Sequence, residues 1–87
     1  MSQPHIKVYS GRFCGYCVAA ERLLKSKGVN YDVIKAEEDK EEFETMMQET
    51  GSRSVPQIFI GERHVGGFDD LSALNQSGEL DKLLSHD

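Results

Sequence analysis

The hydrophobic pattern of the chain changes repeatedly between the alternation typical of strands and the three-to-four-residue spacing typical of helices. Strands are predicted over residues 6–10, 29–34, 57–60 and 63–65, which are short runs rich in β-branched and aromatic residues. Helices are predicted over residues 15–27, from Asp39 up to Gly51, from Asp69 through Leu74, and over residues 79–84, where apolar side chains recur at helical spacing. The predicted order of elements is β-α-β-α-β-β-α-α.

Polar residues and glycines mark the ends of these elements. Gly28 is a typical residue to end the first helix. Asp39, followed by Glu42, is a typical start for the second helix, and Asp69 is the predicted N-cap of the third. Residues 61–62 form a short turn, which predicts an antiparallel hairpin between the last two strands.

A βαβ unit followed by a hairpin predicts an α/β fold, with a four-stranded mixed sheet and helices on both faces. With 87 residues, the chain is expected to form one domain over residues 1–87. Ligands of open α/β sheets bind at the carboxyl ends of the strands. The loop over residues 11–14 leaves the first strand at that end, so the cysteine motif that it enters lies where chemistry is expected.

The charge balance narrows the function further. A formal charge of -5 and a pI of about 5.1 argue against a nucleic-acid-binding protein and against binding to anionic membranes. The first residues lack the basic and apolar segments of a signal peptide, and no apolar run is long enough to span a bilayer. We therefore expect a cytoplasmic protein, whose cysteine pair serves catalysis or metal binding rather than structure.

Cys14 and Cys17 are three residues apart at a predicted helix start, which puts both sulfurs on one side of the first turn. Helix N-termini, basic neighbours and a second cysteine in C-x-x-C all lower a thiol pKa from its ordinary value of about 8.5. Cys14 is therefore the predicted nucleophile, and Arg12 would add positive potential beside it. Cys17, one turn into the helix, is the predicted resolving thiol.

Two other interpretations of the cysteine pair remain open at this point. A structural zinc site needs about four ligands, and only His5, His64 and His86 could add to the cysteines, at scattered positions without the usual spacing. The pair could instead be inert and buried. Both are less well supported than a reactive dithiol.

Three segments resemble the signature segments of glutaredoxins, which usually read C-P-Y-C, T-V-P and G-G-x-D-D. They are Cys14-Gly15-Tyr16-Cys17, Ser54-Val55-Pro56 and Gly66-Gly67-Phe68-Asp69-Asp70. The resemblance runs from about Ile6 to Leu84 and implies the thioredoxin fold with a cis Val55–Pro56 bond. It also implies a glutathione-dependent oxidoreductase, expected to be monomeric, that reduces protein disulfides and glutathione mixed disulfides.

The same resemblance implies a glutathione site. Backbone N–H groups near Phe68 would hold the γ-glutamyl carboxylate, Asp69 or Asp70 its ammonium, and Arg53 the glycine carboxylate. Arg12 would take the role of a lysine that the family commonly has three residues before the first cysteine, where this chain has Gly11. The full implied set is Arg12, Tyr16, Arg53, Ser54, Val55, Pro56, Gly67, Phe68, Asp69 and Asp70. His64 is interpreted as a surface residue on an edge strand.

Gly15 stands where the family usually has proline, and this departure raises a second hypothesis. Some glutaredoxins with a small residue there hold a [2Fe–2S] cluster between two protomers, bound by the first cysteine of each and by two glutathiones. Thiolates are the ligands that such clusters need. The alternative function is therefore a cluster carrier or sensor, a homodimer bridged through Cys14.

Overall fold

The structure, a computed structural model, describes residues 4–84, so His86 and the two chain ends lie outside it. Its elements are β1 (Ile6–Ser10), α1 (Gly15–Ser26), β2 (Asp32–Lys35), α2 (Lys40–Thr50), β3 (Gln57–Ile60), β4 (Arg63–Gly66), α3 (Phe68–Ser77) and α4 (Glu79–Leu84). The predicted element order is confirmed. None of the helices in this range has the length and hydrophobicity needed to cross a membrane.

The four strands form one sheet in the order β2-β1-β3-β4. β2 is parallel to β1, whereas β3 is antiparallel to both β1 and β4. Tyr9 near the end of β1 pairs with Gln57 at the start of β3, and Gly66 at the end of β4 pairs with Ile58. The segments that follow β1, precede β3 and follow β4 therefore meet at one edge of the sheet.

Strand alternation divides the core between the two faces of the sheet. One face, formed by Ile6 and Val8 of β1 with Ile58 and Ile60 of β3, packs against helices α1, α3 and α4, which contribute Ala20, Leu24, Leu71, Leu80 and Leu84. On the opposite face, Tyr9 packs with Phe43 and Met46 of α2. The prediction of a mixed sheet with helices on both faces is confirmed.

The second strand begins later than predicted, at Asp32 instead of Val29. The ladder between β1 and β2 begins where Lys7 pairs with Asp32, so Val29 and Tyr31 precede β2. Both side chains are nevertheless partly buried against the core. Their alternation reflects burial of loop side chains, which produces the same pattern as a paired strand.

The prediction of Asp69 as the N-cap of α3 is wrong. Gly67 is the N-cap, and Asp69 lies in the first turn of the helix. The Asp70 carboxylate reaches back and accepts a hydrogen bond from the Gly67 N–H at 3.3 Å. An acidic residue in the third helical position can satisfy the N-cap N–H in this way, so the cap did not need a side chain of its own.

Asp39 caps α2 as predicted, because its carboxylate accepts a hydrogen bond from the Glu42 N–H at 3.3 Å. The Glu42 carboxylate turns to β1, accepting hydrogen bonds from the Tyr9 hydroxyl at 2.8 Å and from Lys7 Nζ at 3.4 Å. The Tyr9 hydrogen bond, followed by Lys7, lowers the pKa of Glu42. Burial, followed by the same carboxylate, raises the pKa of Tyr9.

This contact predicts a specific pH dependence. Because folding lowers the pKa of Glu42 from its ordinary value of 4.5, the resulting stability is present above that pH and is lost as the pH falls through the folded pKa. Tyr9→Phe removes the largest cause of the shift. Urea unfolding between about pH 6 and about pH 3 should therefore show a smaller loss of free energy of unfolding in Tyr9→Phe than in the wild type.

Tyr31→Phe is the matched control, because the Tyr31 hydroxyl contacts Glu21 rather than Glu42. It should keep the wild-type acid dependence. Identical acid dependence in Tyr9→Phe and the wild type would contradict the assigned role of the Tyr9 hydroxyl.

Candidate active site

Cys14 lies at the N-cap of α1, in the loop that leaves β1 at the shared edge of the sheet. Its Sγ accepts a hydrogen bond from the Cys17 N–H at 3.1 Å. The first N–H groups of a helix have no intrahelical acceptor and carry partial positive charge, so they stabilise negative charge on the sulfur once the disulfide is reduced. The same Sγ lies 3.8 Å from the Val55 carbonyl oxygen.

Cys14 and Cys17 are joined by a disulfide, with their Cα atoms 5.2 Å apart. The two residues differ in access: Cys14 is partly exposed, whereas Cys17 is only 2% exposed and belongs to the buried side of α1. A reactant arriving from solvent can therefore reach Cys14, whereas the buried Cys17 can react chiefly with Cys14.

A groove of about 440 Å³ runs along the shared edge beside the disulfide. Its wall contains Tyr16, Ser52, Ser54, Val55, Pro56, Gln57, His64, Gly66, Gly67, Phe68, Asp69 and Asp70. The Tyr16 and Phe68 rings stack with their centroids 6.1 Å apart, which links α1 to the start of α3. All residues of the second and third signature segments thus share one surface.

One end of the groove suits a group carrying both charges. The N–H groups of Phe68 and Asp69 lie in the first turn of α3, where no intrahelical acceptor is available, and they favour a carboxylate. Asp69 and Asp70 supply negative charge at the same helix start. A ligand that carries a carboxylate and an ammonium group on the same carbon could therefore bind at this end of the groove.

Val55 is the residue of the groove wall whose carbonyl oxygen lies near Cys14 Sγ. The Val55–Pro56 bond is cis, as the resemblance of the signature segments implied. The ladder between β1 and β3 starts at Gln57, so the backbone of Val55 lies just beyond the paired strand. An extended peptide could pair with it as a further strand would.

Gly66 is needed for the geometry of the acidic end. Its φ is +115°, a conformation that residues with a Cβ rarely adopt. A Cβ built on Gly66 would collide with the Asp70 carboxylate. Only glycine therefore lets Asp70 approach the backbone closely enough to cap α3.

The two predicted arginines do not line this groove. Arg53 lies in an adjacent groove of about 400 Å³, which shares Val55 with the first and also contains Gly11. Arg12 is 72% exposed and its Nε lies 3.9 Å from Glu37 Oε1. A Cβ on Gly11 would lie 3.2 Å from Val55 Cγ2, so little room exists there for a longer side chain. The roles of both arginines stay predictions.

Sequence reasoning missed a polar chain in the groove wall. His64 Nε2 lies 2.6 Å from Gln57 Oε1, Gln57 Nε2 donates to Ser52 Oγ at 3.4 Å, and Ser52 Oγ accepts from the Ser54 N–H at 3.1 Å. His64 is exposed on the edge strand β4, as predicted, yet it also lines the groove. The signal in the sequence was Gln57, a polar residue in an otherwise apolar strand. The structure shows that this residue is buried.

The iron–sulfur hypothesis gains no support from the donor set. Within residues 4–84, no three or more His, Cys, Asp or Glu side chains are arranged to hold a metal ion. Cys14 is the accessible cysteine of a protomer, since Cys17 is buried, so the other ligands of a cluster would have to come from glutathione and a second protomer. Gly15 is not required by packing either, because a Cβ there would meet nothing within 4 Å. We assign no chemical step to a cluster.

Comparisons with known proteins found similar sequences and similar structures. Residues 6–65 match the family model described as Glutaredoxin. The chain is 53% identical over 81 residues to a glutaredoxin of Neisseria meningitidis, covering 92% of this chain and 95% of that protein. The solution structure of glutaredoxin from Brucella melitensis superposes with a TM-score of 0.81 at 42% identity, covering 97% of this chain and 91% of that one. A buckwheat glutaredoxin–glutathione complex superposes with a TM-score of 0.84 at 30% identity, covering 94% of this chain and 77% of that one.

The difference in exposure predicts the order of chemical labelling. After reduction, limiting iodoacetamide should alkylate Cys14 well before Cys17, because Cys17 is buried and Cys14 is at the protein surface. Peptide mass spectrometry of samples quenched at short times measures the order. In denaturant, the two cysteines should react at similar rates, and preferential labelling of Cys17 in the folded protein would contradict the assignment.

Proposed function

Because the chain belongs to the glutaredoxin family, and is on that ground a thiol–disulfide oxidoreductase, we propose that glutathione is its reductant. Its proposed substrates are protein disulfides and glutathione mixed disulfides. The observation that carries the proposal is the groove of about 440 Å³ that extends from the start of α3 to Val55, next to the Cys14 sulfur. The buckwheat relative, whose structure is a complex with glutathione, supports the choice of ligand.

The chemistry of the groove suits the γ-glutamyl and cysteine parts of glutathione. The γ-glutamyl end carries a carboxylate and an ammonium on one carbon, which suit the N–H groups of Phe68 and Asp69 and the Asp70 carboxylate, respectively. The central cysteine residue would pair through its backbone with Val55. This pairing would bring its sulfur beside Cys14, since the Val55 carbonyl oxygen is 3.8 Å from Cys14 Sγ.

The glycine end would pass beyond Val55 into the adjacent groove. Arg53 lies there and would bind the terminal carboxylate through a charge-assisted hydrogen bond. Arg12 is the weaker partner for that carboxylate, because its guanidinium already lies near Glu37. Tyr16, stacked on Phe68, would form the apolar wall on the opposite side of the tripeptide.

With a glutathione mixed disulfide, the Cys14 thiolate attacks the glutathione sulfur. The Cys14–glutathione disulfide forms, the original disulfide breaks, and the substrate sulfur leaves as a thiolate that takes up a proton. A second glutathione thiolate then attacks the bound glutathione sulfur. Oxidised glutathione leaves and Cys14 returns to its thiolate, which the Cys17 N–H stabilises.

With a protein disulfide, Cys14 attacks one substrate sulfur and the other leaves as a thiol. Cys17 then attacks Cys14 Sγ, the substrate's second thiol leaves, and a Cys14–Cys17 disulfide forms. The Cα atoms of Cys14 and Cys17 lie 5.2 Å apart, a separation that suits this disulfide. Two glutathiones would restore the dithiol. We propose that the protein acts as a monomer in the cytoplasm, where glutathione is available in reduced form.

Substitutions of the two cysteines should have different effects on activity when both types of substrate are assayed. Cys14→Ser should reduce turnover of a glutathione mixed disulfide to the uncatalysed rate, because the attacking sulfur is lost. Cys17→Ser should retain that reaction but lose reduction of protein disulfides, which needs the resolving thiol. The measurement is NADPH consumption coupled through glutathione reductase. Retained activity in Cys14→Ser would overturn the assignment of the nucleophile.

Gly66→Ala should impair glutathione use as well as folding. The new Cβ would meet the Asp70 carboxylate and disturb the site proposed for the γ-glutamyl end. We expect about tenfold or more loss of kcat/KM for a glutathione mixed disulfide, and about 1 kcal/mol or more loss of stability from the positive φ.

Gly78→Ala is the control for the backbone effect alone. Gly78 also has a positive φ, of 84°, but a Cβ there would meet nothing within 4 Å. Its stability should fall by about 1 kcal/mol while kcat/KM for glutathione mixed disulfides stays unchanged. Equal kinetic losses in the two variants would argue against a ligand site at Gly66 and Asp70.

A further inference from the structure

Phe13 is an apolar residue that neither the core nor the groove uses. It is fully exposed, at 102%, and directly precedes Cys14. Every other aromatic residue of the chain is buried or partly buried, except Tyr16 at 65%, whose ring stacks on Phe68. Phe13 therefore presents a whole aromatic ring to solvent at the position next to the reactive cysteine in the chain.

The backbone conformation of Phe13 is also unusual. Phe13 has a φ of 51° and is the one non-glycine residue among residues 4–84 with a positive φ. A bulky side chain in the left-handed region destabilises the folded state, and glycine or asparagine would fit there with less strain. A strained residue with no packing role, next to a reactive group, is a reason to look for a contact with a partner.

We propose that Phe13 is a docking residue for protein substrates, contacting an apolar side chain that neighbours the substrate cysteine. The proposal rests on the proposed function. When Cys14 attacks a protein disulfide, the Cys14–substrate bond forms as the substrate disulfide breaks, and the departing sulfur takes up a proton. The residues flanking the substrate cysteine then lie beside Cys14, and Phe13 is adjacent to Cys14 in the chain.

Phe13 would not be needed for glutathione itself. It does not line the groove assigned to the tripeptide, and the aromatic wall of that groove is formed by Tyr16 and Phe68. A small glutathione mixed disulfide can therefore react without covering the Phe13 ring. A polypeptide is large enough to reach the groove and Phe13 together, so Phe13 would distinguish protein substrates by the residue next to their cysteine.

The test uses two disulfide-closed peptides that differ only in having leucine or serine beside the cysteine that Cys14 attacks. Phe13→Asn removes the ring while keeping a residue that tolerates the left-handed backbone. It should lose about tenfold in kcat/KM on the leucine peptide, the size expected when a contact with an apolar side chain is removed. On the serine peptide and on the mixed disulfide of glutathione with mercaptoethanol, it should match the wild type.

Three further variants make the result specific. Phe13→Tyr should keep the leucine preference, and Phe13→Gly, which relieves the backbone strain, should lose it without a lower melting temperature. Val18→Ser removes another exposed apolar residue, 50% exposed on α1, and should keep the preference.

Several results would overturn the proposal. An unchanged leucine preference in both Phe13→Asn and Phe13→Gly would show that the ring makes no contact with substrates. An equal loss on the small mixed disulfide would show that Phe13 shapes Cys14 instead. Self-association of the wild type that disappears in Phe13→Asn, measured by sedimentation velocity, would assign the ring to a second copy of the chain. A wild type inactive on the small mixed disulfide would refute the proposed function, which is a separate outcome.

Discussion

The position of β3 between two antiparallel neighbours is the constraint on which the rest of the site depends. Because β3 runs opposite to both β1 and β4, the loop entering α1, the Val55–Pro56 segment and the start of α3 all emerge at one edge. Segments more than fifty residues apart in the chain therefore meet. Burial of Ile58 and Ile60 on one side of β3, and packing of Phe59 against the other core cluster, hold that strand in register.

Backbone groups, rather than a cluster of charged side chains, provide most of the chemistry at this edge. The start of α1 stabilises a sulfur anion, the start of α3 favours a carboxylate, and the end of the loop before β3 leaves Val55 able to pair with a peptide. Such groups are held by the helices and the sheet, so they do not need to be reorganised when a ligand arrives. Binding of anions by backbone N–H groups suits a chain with a net charge of -5, in which acidic side chains outnumber basic ones.

Local rules predicted the elements well where a single interaction decides the outcome. Asp39 caps α2, Gly28 follows α1 with a φ of 73°, and the turn over residues 61–62 joins β3 to β4, all as expected. The errors arose where two interactions compete. Asp69 has the chemistry of an N-cap, but Asp70 caps the helix from inside. The alternation of Val29 and Tyr31 resembled a strand, but these residues are buried without being paired.

The sequence by itself determined the element order, the helix-terminal position of Cys14 and, through three short signature segments, the family and the cis Val55–Pro56 bond. These follow from short-range preferences and from motifs that can be recognised without contacts. Only the tertiary structure decided which long side chains meet: Glu42 with Tyr9, Arg12 with Glu37 and Gln57 with His64. It also decided that Cys17 is buried while Phe13 faces solvent. The reason is physical: burial and side-chain pairing depend on residues distant in sequence, which a local pattern does not contain.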